Sequence, residues 1–187
     1  AARAAIRSRN RPPVLRFAAV AALVFAGQMV NFPVQDGTSG HLLGGVLASA
    51  LLGVPFGVLA LALVVTMQPL VFADGGVLVL GANVFNMALL GAGLGGLLQR
   101  FLSRRGLPSK LAVPVAAWIS VLLAASACAV ELAAGGTAAI GKILPAMLGV
   151  HALIGAGEAV ITLCLLRILE QPLVLRRQAL VPFLAAL

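Results

Sequence analysis

Five long apolar runs constrain the fold of this chain more than any other feature. They cover residues 14–32, 41–73, 77–102, 111–134 and 140–169. A helix crosses the roughly 30 Å hydrocarbon core of a bilayer with about 20 apolar residues, and four of the runs suit one crossing each. Because 61% of the residues are hydrophobic and only 10% are charged, too few charges remain for a water-exposed surface. We therefore predict an all-α polytopic membrane protein with one membrane domain over residues 1–187.

Basic residues are grouped at three places, and these groups orient the spans. They precede the first apolar run, fill the loop after the third and follow the last: Arg3, Arg7, Arg9 and Arg11; Arg100, Arg104, Arg105 and Lys110; Arg167, Arg176 and Arg177. Cytoplasmic loops of membrane proteins are enriched in Lys and Arg. We therefore expect residues 1–13 to be cytoplasmic and the 170–187 tail to be cytoplasmic or interfacial. The loops at Asp36, at Asp74 and after Glu131 are then external.

The net charge of +8 raises the question of nucleic-acid binding. Because the basic residues lie between spans and not on one folded face, they indicate contact with anionic membrane lipid. We predict no nucleic-acid partner.

The second apolar run is too long for a single crossing, because as one helix it would approach about 50 Å. The charge pattern places both of its ends outside, so it must cross an even number of times. Pro55, within the stretch Gly53–Gly57, interrupts helical hydrogen bonding, and the glycines permit a turn. The prediction is six spans with both chain ends cytoplasmic, at about 14–32, 41–53, 56–73, 77–102, 111–134 and 140–169.

Polar residues gather near the predicted external ends of the spans. His41 opens the second span, Asn31 lies near the end of the first, Asp74 occupies an external turn, and Asn83 and Asn86 follow in the next span. Polar groups in lipid are costly unless they face the bundle interior, so this cluster predicts a pocket open to the outside. The alternatives are hydrogen bonds between helices for the amides, turn chemistry for Asp74 and a solvated or capping role for His41.

Two further ionisable residues lie in the last span. His151 and Glu158 are seven positions apart and so share a helix face. They form either a proton relay or a buried structural pair, deeper in the membrane than the external cluster. Glycines four residues apart, such as Gly91 and Gly95, permit close helix contact within the bundle or against another membrane protein.

The sequence contains no phosphate-binding loop and no hydrolase motif. We therefore expect the chain not to be an enzyme.

Three stretches resemble the CbiM/NikM family, the substrate-specific membrane components of energy-coupling factor transporters for cobalt and nickel. They are AGQMVNFPVQDGTSGHLLGG, VFADGGVLVLGANVFNMA and VHALIGAGEAVIT. The resemblance extends from about Phe17 to Leu169. It implies a seven-helix bundle in the prokaryotic cytoplasmic membrane with an external metal site. It also implies three partners: a transmembrane coupling component, a pair of ABC ATPases and often a small accessory membrane protein.

The resemblance also implies a ligand set. The family holds its metal with the terminal amine, a backbone nitrogen and the imidazole of an N-terminal Met-His, together with the histidine of an S-G-H-L-L-G-G motif. That last ligand matches His41. Four nitrogens in a plane suit Ni(II) and low-spin Co(II), which would be transported ligands and not cofactors. This sequence has neither the Met-His start nor a first helix before its Arg-rich segment. We therefore expect a truncated or incompletely predicted member that forms no complete site by itself.

The leading prediction is the substrate-binding component of an ATP-driven Co(II) or Ni(II) importer that captures metal at the external face. One alternative is a stand-alone secondary transporter or channel, for which only His151 and Glu158 could provide coupling. The other is a non-catalytic membrane scaffold that uses its glycine-rich faces.

Overall fold

The computed structural model describes residues 11–34 and 39–170. Within these ranges the chain forms six helices, with one short β-hairpin between the first two. The helices are α1 Val14–Gln28, α2 Gly45–Leu52, α3 Val54–Val71, α4 Val77–Arg104, α5 Ser109–Ala134 and α6 Ile140–Glu170. The predicted all-α polytopic membrane fold is confirmed. Asp36 and most of the two predicted cytoplasmic ends lie outside the described residues.

Of these six helices in the described ranges, four are long and apolar enough to cross a membrane, namely α3, α4, α5 and α6. The helix α1 is also apolar but shorter, with 15 residues. Large apolar side chains such as Leu63, Leu153 and Val160 are exposed on the outer faces of the bundle, where lipid would cover them. The helix α2 has eight residues and is only about 12 Å long, so it cannot cross a bilayer core alone.

The β-hairpin corrects the prediction for residues 29–44. Strand β1, Asn31–Pro33, pairs antiparallel with strand β2, Ser39–His41, and Asn31 faces His41. The first helix therefore ends before Phe32, and no helix begins at His41. The backbone there pairs across the hairpin, and the left-handed Gly44 (φ 70°) separates β2 from α2. Hydrophobic residues continue through this segment, which is why the apolar run suggested a helix from His41.

The break predicted at Gly53–Gly57 falls at its first residue. Gly53 joins α2 to α3 with φ 84° and ψ 150°, a conformation that strongly favours glycine. Pro55 lies in the first turn of α3, where its missing N–H leaves no helical hydrogen bond unmade. The glycine therefore makes the turn, and the proline starts the next helix.

Small residues bring the helices of this bundle into close contact. A methyl group at Gly45 of α2 would lie 2.6 Å from the carbonyl carbon of Gly91 in α4, and one at Gly95 would lie 2.7 Å from Cβ of Ser120 in α5. Ser49 of α2 donates a hydrogen bond to the carbonyl of Ala92, at 2.7 Å. These glycines therefore allow close packing within the chain, of α2 against α4 and of α4 against α5.

The helix α4 changes its hydrogen-bond pattern along its length. It begins with a 3₁₀ turn at Val77–Val79, is α-helical at Leu80–Asn83, becomes a π-helix at Val84–Leu94 and returns to α at Gly95–Arg104. Such π segments are rare and occur frequently at functional sites. This one begins directly after Asn83, a predicted pocket residue.

Candidate metal centre

His41 is presented by the β-hairpin and not by a helix. Its Nδ1 atom lies 3.0 Å from the carbonyl oxygen of Leu42. A carbonyl can only accept, so Nδ1 carries the proton and donates. In the neutral imidazole, the lone pair is then on Nε2, the arrangement typical of metal-binding histidines whose other nitrogen is held by a backbone carbonyl.

A cavity of about 520 Å³, here called the large chamber, contains His41 in its wall. Three predicted pocket residues, Asn31, Asp74 and Asn83, line it as well, and Glu131 adds a second carboxylate. Its described lining contains no Lys or Arg. The hairpin register places Asn31 beside His41, and the Asn83 amide contacts the turn after Asp74 by donating to the carbonyl of Gly75 at 3.3 Å. The structure thus brings four of the five predicted residues to one chamber.

A second cavity of about 90 Å³, the small cavity, adjoins the same histidine. Its wall includes His41, Asn83, Asn86, Cys128 and His151. His41 and Asn83 therefore line both cavities, and Asn86 belongs to the small one. The Asn86 amide donates to a carboxylate oxygen of Glu131 at 2.7 Å, whereas its Oδ1 is buried and accepts no hydrogen bond from any described group.

His151 and Glu158 are both buried, and neither makes a hydrogen bond to the other. Glu158 accepts hydrogen bonds from the backbone N–H groups of Leu43 and Gly44, at 2.5 and 2.8 Å. His151 donates from Nδ1 to the carbonyl of Met147 at 2.8 Å. The two side chains share a helix but face different neighbours. Nor is His151 separate from the predicted pocket, because it lines the small cavity with His41.

Leu43 and Gly44, which follow His41 and Leu42, are held by a hydrogen-bond network that involves three helices. Glu158 of α6 binds the N–H of Leu43, and Gln28 of α1 donates to the carbonyl of Leu43 at 2.8 Å. Gln68 of α3 in turn donates to Gln28 at 2.9 Å. All three side chains are buried. This network fixes the backbone immediately after the candidate ligand, a role that the sequence did not reveal for Gln68 or Glu158.

The potential metal donors are thus few and mixed. The described residues contain no cluster of three or more His, Cys, Asp or Glu side chains that could hold a metal ion. They offer two imidazoles, from His41 and His151, with amide and carboxylate oxygens nearby. Cys128 lines both cavities, while Cys164 is exposed on the outer surface.

Comparison with known families gives this geometry its context. Residues 1–172 match the family described as cobalt uptake substrate-specific transmembrane region, CbiM. The chain belongs to the CbiM family. The resemblance seen in the three sequence stretches is thereby confirmed, over nearly the whole length of the chain.

Relatives of this CbiM-family chain carry transport names. A protein of Archaeoglobus fulgidus, provisionally named fused nickel transport protein NikMN, is 43% identical over 158 residues, which are 83% of this chain and 53% of that protein. The chain therefore spans about half the length of that relative. The cobalt transport protein CbiM of Thermosediminibacter oceani is 30% identical over 157 residues, covering 80% of this chain and 64% of that protein.

The fold is also similar to that of a solved transporter. The crystal structure of a transition metal transporter superimposes with a TM-score of 0.84 at 31% identity, covering 91% of this chain and 81% of that one. The chain thus has the overall fold of a solved transition metal transporter.

Proposed function

We propose that this chain is the substrate-binding membrane component of an ATP-driven energy-coupling factor importer for Co(II) or Ni(II). The observation that carries the proposal is the position of His41. Its imidazole lines both the large chamber and the small cavity, and its Nδ1 is tied to a backbone carbonyl. The names of the relatives, nickel and cobalt transport proteins, support the same substrate class.

The lining of the large chamber suits a divalent cation. Asp74 and Glu131 contribute carboxylates without a described basic residue among the lining groups, so the local field attracts positive ions. Carboxylate and amide oxygens alone would favour Mg²⁺ or Ca²⁺, whereas imidazole nitrogen favours Ni(II), Co(II) and similar metals. In this proposal, the carboxylates concentrate cations and His41 selects among them.

Energy for transport comes from partner proteins. The sequence has no phosphate-binding loop, so a pair of ABC ATPases would hydrolyse ATP. A transmembrane coupling component would transmit the resulting motion, often with a small accessory membrane protein. The chain itself would be a binding component without enzymatic activity, and the metal its transported substrate.

We place the protein in a prokaryotic cytoplasmic membrane with its large chamber open to the outside. The Arg-rich loop between α4 and α5 and both ends of this chain would then be cytoplasmic. The stand-alone transporter is a weaker candidate, because the two residues it needs for proton coupling, His151 and Glu158, each bond to a separate backbone site.

The first experiment removes the His41 imidazole. A form extended by the N-terminal Met-His segment and first helix that the family resemblance implies, and its His41→Ala variant, are titrated in detergent with Ni(II) and Co(II), with Ser126→Ala as control. Ser126 bonds only within its own helix, to the carbonyl of Leu122. Because one nitrogen ligand is lost, we expect His41→Ala to weaken binding by more than about 10- to 100-fold, while the control binds normally.

The 187-residue chain, in the same titration, is expected to bind either metal weakly. Equal tight binding by the extended form, by its His41→Ala variant and by the 187-residue chain would contradict the metal assignment. Metal uptake that depends on co-expressed ATPases would separate the importer from the stand-alone transporter and from the scaffold.

A further inference from the structure

A groove of about 330 Å³ opens on the outer surface of the bundle, between α4 and α5. Two buried small residues, Gly95 and Ser120, line its floor. They pack so closely that a methyl group on Gly95 would lie 2.7 Å from Cβ of Ser120. The Ser120 hydroxyl donates to the carbonyl of Ala117 in its own helix, at 2.8 Å. Because this polar group is already bonded, the groove suits a hydrocarbon chain.

The rims of the groove carry large apolar side chains. All of them are between 38% and 53% exposed: Leu94, Leu97 and Phe101 of α4, and Ile119 and Leu123 of α5. Contacts between membrane helices favour small residues at the surface, since these let the two backbones approach closely. The bulky rims therefore fit a lipid chain better than the helix of a partner protein.

The groove extends along about one leaflet of a bilayer. From Leu94, at its deep end, to Arg105, in the loop after α4, the helix rises about 16 Å. This is close to half of a hydrocarbon core of roughly 30 Å. In the orientation proposed above, the leaflet is the cytoplasmic one.

The loop at the mouth of the groove is strongly basic. Arg104, Arg105 and Lys110 are exposed there, and residues 75–130 include no Asp or Glu. The guanidinium of Arg105 lies over the ring of Phe101, 5.1 Å from its centroid. Because this ring lines the groove, the stacking holds a positive charge at the mouth. A guanidinium placed in this way presents N–H groups that suit phosphate oxygens.

We propose that the groove is a binding site for an anionic phospholipid. One acyl chain lies between α4 and α5, and the phosphate binds Arg105, with Arg104 and Lys110 adding positive charge at the same membrane surface. Basic sites between transmembrane helices on the cytoplasmic side bind anionic lipid headgroups. This site goes beyond the proposed transport function and does not depend on which metal the chain binds.

The headgroup is tested by native mass spectrometry of the 187-residue chain in detergent. Phosphatidylglycerol and phosphatidylcholine with identical acyl chains are added separately, and we expect the anionic lipid to be retained more strongly. Arg105→Gln should lower the affinity for phosphatidylglycerol about fivefold. The matched control is Lys142→Gln, which removes the same charge from an exposed residue at the start of α6 and should bind like the parent chain.

The acyl chain is tested by filling the groove. Leu94→Trp places a larger side chain at its rim, so we expect retention of phosphatidylglycerol to fall toward that of phosphatidylcholine. Leu153→Trp is the matched control, because Leu153 is 77% exposed on the outer face of α6 and lines none of the described cavities. This variant should retain phosphatidylglycerol normally.

Three results would overturn the proposal. Equal retention of the two lipids would show that the headgroup charge is not recognised. Equal losses in Arg105→Gln and Lys142→Gln would show a general attraction between charges and no specific site. If Leu94→Trp retains phosphatidylglycerol normally, the groove does not hold the lipid, and a simultaneous loss of co-purification with a coupling component would assign the groove to a partner helix. Should Leu94→Trp not fold, the comparison of Arg105→Gln with Lys142→Gln still decides.

Discussion

At the scale of single residues, Glu158 is a carboxylate buried in the membrane bundle that makes no ion pair with any described residue. It is 2% exposed and accepts two backbone N–H groups, those of Leu43 and Gly44. Hydrogen bonds to an ionised acceptor are among the stronger ones in proteins. The carboxylate also lies where α2 begins, so the helix dipole favours its negative charge. Glu158 thus fixes the backbone of the segment that carries His41.

These two hydrogen bonds predict a specific effect for Glu158→Gln. A glutamine keeps one carbonyl acceptor but turns an NH₂ group toward a backbone N–H, leaving a buried donor without a partner. We expect a loss of about 1–3 kcal/mol in the free energy of unfolding, together with weaker metal binding as His41 loses its fixed backbone. Thermal unfolding and metal titration in detergent measure both effects.

The control for Glu158→Gln is Cys164→Ala on the same helix, whose side chain is exposed on the outer surface. This variant should change neither the free energy of unfolding nor the affinity for metal. Unaltered stability in Glu158→Gln would mean that the two N–H bonds do not hold the hairpin segment.

Part of the candidate site could be predicted from the sequence, and the rest could not, for a physical reason. Charge asymmetry and family resemblance identified His41 and placed Asp74 near it. Helical periodicity showed that His151 and Glu158 share a face, but it cannot say which neighbour each one meets. Those partners are distant in sequence, since Glu158 binds the N–H of Leu43, 115 residues away, and Asn86 binds Glu131, 45 residues away.

At the scale of the elements, close packing of α2 on α4 predicts a strong effect of one added methyl group. Gly45→Ala would bring Cβ within 2.6 Å of the Gly91 carbonyl carbon and 2.7 Å of the Ala92 nitrogen. Both are backbone atoms and cannot rotate away, so the helices must separate. We expect a destabilisation of about 1–3 kcal/mol, measured by thermal unfolding in detergent.

Gly157→Ala in α6 is the matched control for Gly45→Ala, because nothing lies within 4 Å of its added methyl group. Alanine has the higher helix propensity, by up to about 1 kcal/mol, so this variant should be neutral or more stable. Similar losses in both variants would show that the contact between α2 and α4 is not the cause.

The elements themselves were predictable to different degrees. The long helices α3 to α6 follow from apolar runs bounded by polar or glycine-rich turns, because bilayer thickness dictates their length. The β-hairpin and the π-helix of α4 were not predicted. Hydropathy indicates whether a side chain prefers lipid. It does not indicate whether the backbone N–H of that residue bonds to the fourth residue back, as in an α-helix, to the fifth, as in a π-helix, or to another strand.

At the scale of the whole molecule, the two ends of α5 test the orientation. Ser109 is the exposed first residue of α5 and Thr137 lies in the exposed turn after its end, and the charge pattern places the first inside and the second outside. In a Cys128→Ala, Cys164→Ala background, we expect a cysteine at Thr137 to react with a membrane-impermeant maleimide in intact cells. One at Ser109 should react only after the membrane is permeabilised, and the reverse labelling pattern would invert the proposed topology.

The irregular stretch of α4 has a consequence for how this helix tolerates insertions and deletions. In a regular α-helix each residue turns the chain by about 100°, whereas the π-helix over Val84–Leu94 winds more slowly. This slower winding sets the direction in which Gly95, packed on Ser120, faces around the helix axis relative to Asn83, which lines the large chamber. A substitution at the exposed Leu89 alters one side chain. Deletion of that same residue would rotate one half of the helix against the other, so that the amides and the glycines could no longer face their partners together.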